Sequence, residues 1–154
     1  MRTVDAIRIR APAARVFAAA RDVARWPEIL PHYRWVRLLE PRPDGGTVEM
    51  AAWRPFGPLR WPTWWVSEMQ HDATALTIRY RHVRGVTAGM DVVWRIAAVP
   101  GPGEEVDVRI VHAWGGPPWP LGDLIARLVI GPVFIHGIAS RTLAGIKRHV
   151  EAGA

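Results

Sequence analysis

An α+β fold, with an antiparallel sheet covering one long C-terminal helix, is predicted by three features of the sequence. Apolar residues recur at helical spacing through the last fifth of the chain, from Leu121 to Val150. Between Tyr33 and Trp114 the period changes to two, in six successive runs. Short turn-forming stretches separate most of those runs, and such connections join antiparallel neighbours. A sheet of this kind must cover its dry face, and the long helix is the only element large enough to do so.

Leu121, Leu124, Ile125 and Leu128, then Phe134, Ile135, Ile138, Leu143, Ile146 and Val150, follow the spacing of one helical face. Arg127, Arg141, Lys147, Arg148 and Glu151 fall mostly between them and suit a solvent face. Gly131-Pro132 interrupts the run, because proline lacks an amide proton and disfavours helical geometry in the residue before it. The main helix is therefore predicted from about Val133 to Glu151. Asp123, Arg127, His136 and Arg141 keep the run from being a clean apolar span, so no stable membrane insertion is expected. Gly131, Gly137, Ala139 and Ala144 leave part of the helix slim enough to flank a cavity.

Thr3–Arg10 reads as a strand. Pro12 suits the first turn of a helix whose stripe is Val16, Phe17 and Ala20. Asp22 is placed to cap a second short helix, Val23–Leu30, with Pro27 in a first or broken turn and Pro31 ending it. Tyr33–Glu40 and Thr47–Trp53 form a hairpin with a longer loop at Pro41–Gly46. Pro55–Pro62 reads as a connection. Thr63–Gln70, Ala75–Val83, Met90–Val99 and Glu105–Trp114 complete the series of strands.

The length of 154 residues suits one domain, 1–154, able to bury roughly 68 to 70 % of its unfolded surface and so to hold a core and a pocket together. The absence of cysteine excludes disulfides, thiolate metal sites and a cysteine nucleophile. The amino terminus lacks a continuous apolar signal region, which leads to the expectation of a cytoplasmic location. A formal charge of +6 comes from nineteen arginines and one lysine, but no basic run of five or more appears, so nucleic-acid binding is not expected. Attraction to acidic ligands or to an anionic membrane surface remains open through the overall field. The histidines at 32, 71, 82, 112, 136 and 149 form no i, i+4 pair, and no glycine-rich loop joins a strand to a helix. Neither a metal nor a nucleotide cofactor is therefore expected. Nine tryptophans exceed what a core of this size needs, and indoles make flat walls for a polycyclic or lipid ligand.

Strand parity sorts the side chains. Met90, Val92, Trp94 and Ile96 alternate with Asp91 and Arg95, so the apolar set faces inward. By the same rule Val106, Val108, Ile110, His112 and Trp114 face inward, as do Leu76, Ile78, Tyr80 and His82, and Trp65, Ser67 and Met69.

Asp22–Tyr33, Trp65–Met69, Gly89–Ile96 and the closing segments Gly131–Phe134 and Arg141–Arg148 together resemble the polyketide cyclase/aromatase and coenzyme-Q-binding branch of the START-like (Bet v 1-like) superfamily. The resemblance runs in order over nearly the whole chain. It implies a helix-grip fold: a seven-stranded antiparallel sheet curved around the terminal helix, a cavity between them, and two short helices closing one end. In the aromatase/cyclases of that family the pocket aromatics correspond by motif to Trp26, Tyr33, Trp65 and Trp94. Their inward arginine on the Trp-Val-Ser strand, which polarises a ketone, falls here at Met69, whose thioether offers only apolar packing.

Two functions follow as expectations: cyclisation or dehydration of a hydrophobic, polyketide-like small molecule, or carriage of a quinone, isoprenoid or other lipid without chemistry. For the first, His112 is the candidate general acid or base, with Tyr33 and Tyr80 as catalytic hydrogen-bonding partners and His82 beside them. The binding set adds Trp26 from the second short helix, Met50, Trp65, Ser67, Met69 and Trp94 from the sheet, and Phe134 and Ile138 from the long helix. A polar pair deep in the cavity favours chemistry, and an all-apolar interior favours carriage. A free strand edge or the tryptophan-rich loop offers a surface for a homodimer.

Overall fold

The computed structural model describes residues 1–56, 58–116 and 135–153. The elements are β1 (Arg2–Ile9), α1 (Ala13–Arg21), a 3-10 turn (Val23–Arg25), α2 (Trp26–Ile29), six further strands and a final helix. Those strands are β2 (Tyr33–Arg42), β3 (Gly45–Phe56), β4 (Leu59–Asp72), β5 (Thr77–Gly85), β6 (Asp91–Ala98) and β7 (Val106–Ala113). The final helix, here α3, spans His136–Ala152. The sheet is wholly antiparallel in the order β1-β7-β6-β5-β4-β3-β2, the helix-grip arrangement, with β1 and β2 as its edges.

The buried side of α3 is Ala139, Thr142, Leu143, Gly145, Ile146 and Val150, a spacing that returns to one face every three or four residues. Each large aliphatic on it contributes roughly 1.5–3 kcal/mol by leaving water. Gly145 faces α2 closely: a Cβ there would stand 2.2 Å from Leu30 Cδ2. At the helix start His136 Nδ1 meets Asp5 Oδ1 from the inner face of β1, and near its end Glu151 accepts from the Arg10 amide at 2.8 Å. Asp5 is buried, which pushes its carboxyl upward, against the pull of His136. The helical segment Leu121–Leu128, the Gly131-Pro132 break, Val133 and Phe134 lie outside the described residues.

Four local expectations are corrected. Asp22 makes no side-chain cap, and the second helix divides into the 3-10 turn and α2, with Pro27 in the first turn of α2, where no amide proton is needed. Pro12 stands just before α1 rather than within it. The β2–β3 loop shrinks to Pro43-Asp44, because Arg42 already pairs with Gly45 and Pro41 with Gly46. The segment read as a connection, Pro55–Pro62, is mostly strand: Trp53 pairs with Pro62, Arg54 with Trp61 and Pro55 with Arg60. The prolines are tolerated because this end of the β3–β4 hairpin projects past its neighbours. Pairing to β2 stops at Ala52 and pairing to β5 stops at Trp65, leaving backbone groups there with no ladder to complete.

Gly45 carries the tight β2–β3 turn at φ +148°, and a Cβ on it would lie 2.1 Å from the Met69 carbonyl oxygen on β4. Since that obstacle is backbone in the middle of the sheet, Gly45→Ala is expected to destabilise the protein by about 2 kcal/mol or more. The check is the urea midpoint; an unchanged midpoint would mean that the turn relaxes freely.

Candidate functional site

Parity delivers the inner face of the sheet to a cavity against α3. Its apolar wall includes Trp26, Trp65, Trp94, Met50 and Met90, closed by Ile135, Ile138 and Ala139 from the helix side. Its polar groups are Tyr33, Arg54, Tyr80, His82, His112 and Thr142. The cavity volume is about 70 Å³. Among the described residues this is room for several waters or a small fragment.

The aromatic wall is a continuous set of contacts. Trp26 meets Tyr33 edge-on at 5.1 Å between centroids and Trp94 at 5.8 Å, Tyr33 meets Trp65 at 6.2 Å, and Trp65 stacks on His82 at 5.9 Å. The Trp26 indole donates to the Ala19 carbonyl, which fixes the ring at the end of α1. Such walls accept flat or extended apolar ligands.

The polar groups are held from behind. His82 Nδ1 lies 2.7 Å from Thr87 Oγ1, and His112 Nδ1 lies 3.4 Å from Thr3 Oγ1, leaving Nε2 of each ring without a partner among the described residues. Desolvation is the main reason that His82 is pushed down to about 3 and His112 to about 4. The fields of Arg54 on both, and of His112 on His82, add to it. Both imidazoles are neutral at ordinary pH. Tyr33 is raised to about 12 by burial and Tyr80 well above 10, by burial and by the nearby Tyr33. Tyr33 touches Thr142 Oγ1 at 3.5 Å, whereas the Tyr80 hydroxyl, on a residue only 6 % exposed, has no hydrogen-bond partner among the described residues. A buried hydroxyl left in this state costs about 1–3 kcal/mol unless a ligand or water engages it.

Sequence reasoning leaves Met90, Val92, Ile110, Ile135, Ala139, Thr142 and Arg54 out of the site, and of these Arg54 matters most for its chemistry. It is 5 % exposed, its Nε donates to Thr63 Oγ1 at 3.1 Å, and burial lowers it to about 10, so it stays charged at neutral pH. The position at which the resemblance implies an inward arginine holds Met69, and β3, the neighbour of β4, brings Arg54 to the cavity. The signal was present, because Val48, Met50, Ala52 and Arg54 share one strand parity, but the strand was ended at Trp53.

Of the predicted residues, Trp26, Tyr33, Met50, Trp65, Tyr80, His82, Trp94, His112 and Ile138 all line the cavity. Ser67 and Met69 are buried in the sheet but are not among the lining residues. Phe134 lies outside the described residues. The electrostatic neighbours are Tyr33 with Tyr80 and His82 with His112, with Arg54 acting on Tyr33 and both histidines. No cluster of three or more metal-ligating side chains occurs among the described residues, and none of their helices is long and apolar enough to cross a membrane.

Comparison with solved structures finds the same fold repeatedly. A Thermus thermophilus protein aligns with TM-score 0.80 at 19 % identity, covering 100 % of this chain and 99 % of its own. The Zhui aromatase/cyclase from a Streptomyces species aligns with TM-score 0.80 at 19 % identity, over 98 % of this chain and 93 % of its own. A START superfamily protein from Mycobacterium smegmatis gives 0.72 at 14 % identity, over 99 % of both. No curated protein matches the sequence. The profile of one family, described as polyketide cyclase / dehydrase and lipid transport, matches residues 9–134, well over half the chain. With its helix-grip fold and its apolar, tryptophan-walled cavity for a hydrophobic small molecule, this chain belongs to the polyketide cyclase/dehydrase and lipid transport family.

Proposed function

We propose that this protein binds a hydrophobic, polyketide-like small molecule in the inner cavity and promotes its cyclisation and dehydration. The observation that carries the reading is the set of polar groups in the cavity: a Tyr80 hydroxyl with no hydrogen-bond partner among the described residues shares one enclosure with Arg54 and two neutral histidines. A carrier of a plain hydrocarbon chain gains nothing from such groups and bears their desolvation.

The chemistry that suits them is enolisation followed by aldol closure. His112, neutral, accepts the α-proton of a ketone through Nε2, while Arg54 and Tyr80 donate hydrogen bonds to the oxygen that becomes the enolate. The enolate carbon then attacks a second carbonyl of the same chain, forming the ring carbon–carbon bond, and the new alkoxide takes back the proton from His112. Loss of a further α-proton to the base and of hydroxide, protonated to water, leaves the double bond. The low basicity of His112 means that it holds the proton only transiently, which suits a shuttle. The aromatic wall supplies the folding of the chain that brings the two carbons together.

The deciding measurement is native mass spectrometry of protein purified gently from its own host, followed by denaturation and identification of the released molecule. A poly-ketone or its cyclised product supports the proposal and supplies a substrate. A quinone or lipid overturns it in favour of carriage, the reading that the mainly apolar wall also favours.

A further inference from the structure

We propose that the cleft between the projecting tip of the β3–β4 hairpin and the outer side of α3 is a binding site for a phosphate-bearing ligand, held by Arg60, Arg141 and Arg148. The inference is independent of the catalytic reading, since the cleft shares no lining residue with the inner cavity. It is also the roomier of the two, at about 480 Å³.

Its lining carries cations alone, whereas the other arginine-lined clefts also hold Glu68 and Asp91, or Asp44 and Asp72. Five arginines elsewhere are answered by carboxylates: Arg8 by Asp107, Arg10 by Glu105, Arg25 by Glu28, Arg37 by Glu49 and Arg81 by Asp91. Three arginines line the cleft with no acidic residue beside them, and none of their guanidinium groups has an ion pair or hydrogen bond among the described residues. Gathering like charges raises the local potential, and an anion placed among them relieves it. Three planar forks offer more donors than one carboxylate can accept, whereas a phosphate group presents several acceptor oxygens and up to two charges. Trp53 and Leu59 line the same cleft, and Leu59 and Trp61 are 65 % and 61 % exposed at the hairpin tip, so an apolar group attached to the phosphate has surface to lie on.

His32 provides an internal reporter. It lines the cleft, its Nε2 lies 3.0 Å from Thr142 Oγ1, and its ring packs on Tyr33 at 4.8 Å. It is pushed down to about 4, first by burial and then by the fields of Arg141 and Arg148 on α3. The third cleft cation, Arg60, lines the same cleft from the hairpin. An anion seated between these arginines offsets their field and moves the His32 pKa upward.

The experiment is calorimetric titration with inorganic pyrophosphate at low ionic strength, together with sedimentation on phosphatidylglycerol vesicles and on phosphatidylcholine vesicles. Three proteins are compared: the wild type, Arg141→Gln/Arg148→Gln, and Arg79→Gln/Arg95→Gln. The last removes the same charge from the exposed outer face of the sheet. The expected result is saturable binding that falls about tenfold or more in the α3 double variant and holds in the control. In the wild type alone, the His32 imidazole resonance should titrate at higher pH when ligand is present. Pyrophosphate binding without retention on phosphatidylglycerol identifies a soluble phosphate ligand, and retention on phosphatidylglycerol but not phosphatidylcholine identifies a lipid headgroup; either result sustains the site. Failure to bind both probes, or equal losses in the two double variants, overturns it, the latter by reducing the effect to net charge.

Discussion

Arg54→Met is expected to lower turnover of the authentic substrate by about 10²–10³-fold, the usual loss when one donor to a developing oxyanion is removed. Arg54 is the cation on the described lining of the inner cavity, and at a pKa of about 10 it is charged throughout the neutral range. Methionine keeps an unbranched, flexible chain in the same space. Exchanging a buried charge for an apolar group of similar length is often close to neutral for stability, and the lost bond to Thr63 accounts for about 0.5–1.5 kcal/mol. A second readout separates electrostatics from packing. The positive field of Arg54 contributes to the depression of His82 and His112, so both should titrate higher in the variant, by NMR, while the fold is retained. Arg54→Lys should restore those histidine values but only part of the rate, because an ammonium lacks the planar fork. Unchanged turnover in Arg54→Met would remove the arginine from the mechanism.

How Arg54 was missed says where sequence reasoning ends. Parity placed His112, Tyr80, His82 and Trp94 on the inner face because each sits inside a strand with a clear alternation of apolar and charged residues. The helix register through Leu143, Ile146 and Val150 was legible for the same reason at a different period. The segment from Trp53 to Pro62 has no such alternation, and proline usually marks the end of a strand. Here it does not, because the hairpin runs past both neighbours and the missing amide protons have no partners to lose. That is a fact of three-dimensional strand length, which no local pattern carries. The two-residue turn at Pro43-Asp44 escaped for a related reason: Gly45 and Gly46 read as loop residues, yet their positive φ values serve strand residues packed against backbone, Gly45 against β4 and Gly46 against β2. The arginine cleft is likewise invisible in sequence, since Arg60 is some eighty residues from Arg141 and Arg148.

Acid is expected to unfold this protein earlier than carboxylate protonation alone would. His32, His82 and His112 titrate near 4, 3 and 4 in the folded state against 6.5 for the free side chain, in each case chiefly because burial disfavours the charged ring. Between about pH 6.5 and pH 4 the unfolded chain therefore binds protons that the folded chain refuses, and stability falls as the pH falls. The full contribution is present above 6.5 and is lost progressively toward the folded values. Shifts of this size correspond to upper figures of about 3 kcal/mol for His112 and about 5 kcal/mol for His82. The partly exposed His32 adds less, because solvent screens the charge there. Together they rival the whole stability of an ordinary domain. The carboxylates act lower or in the other direction. Glu151, lowered by its bonds to the Arg10 amide and Lys147, adds stability above its usual range that is lost only in stronger acid. Asp5, raised by burial, takes up its proton more readily when folded and so opposes the loss. The melting temperature should thus decline from about pH 6.5 with a slope of more than one proton. His82→Gln, which retains an amide able to bond Thr87, should flatten it. A melting temperature that stays level down to pH 4.5 would mean that these rings are not buried neutral, and the proton shuttle assigned to His112 would fall with them.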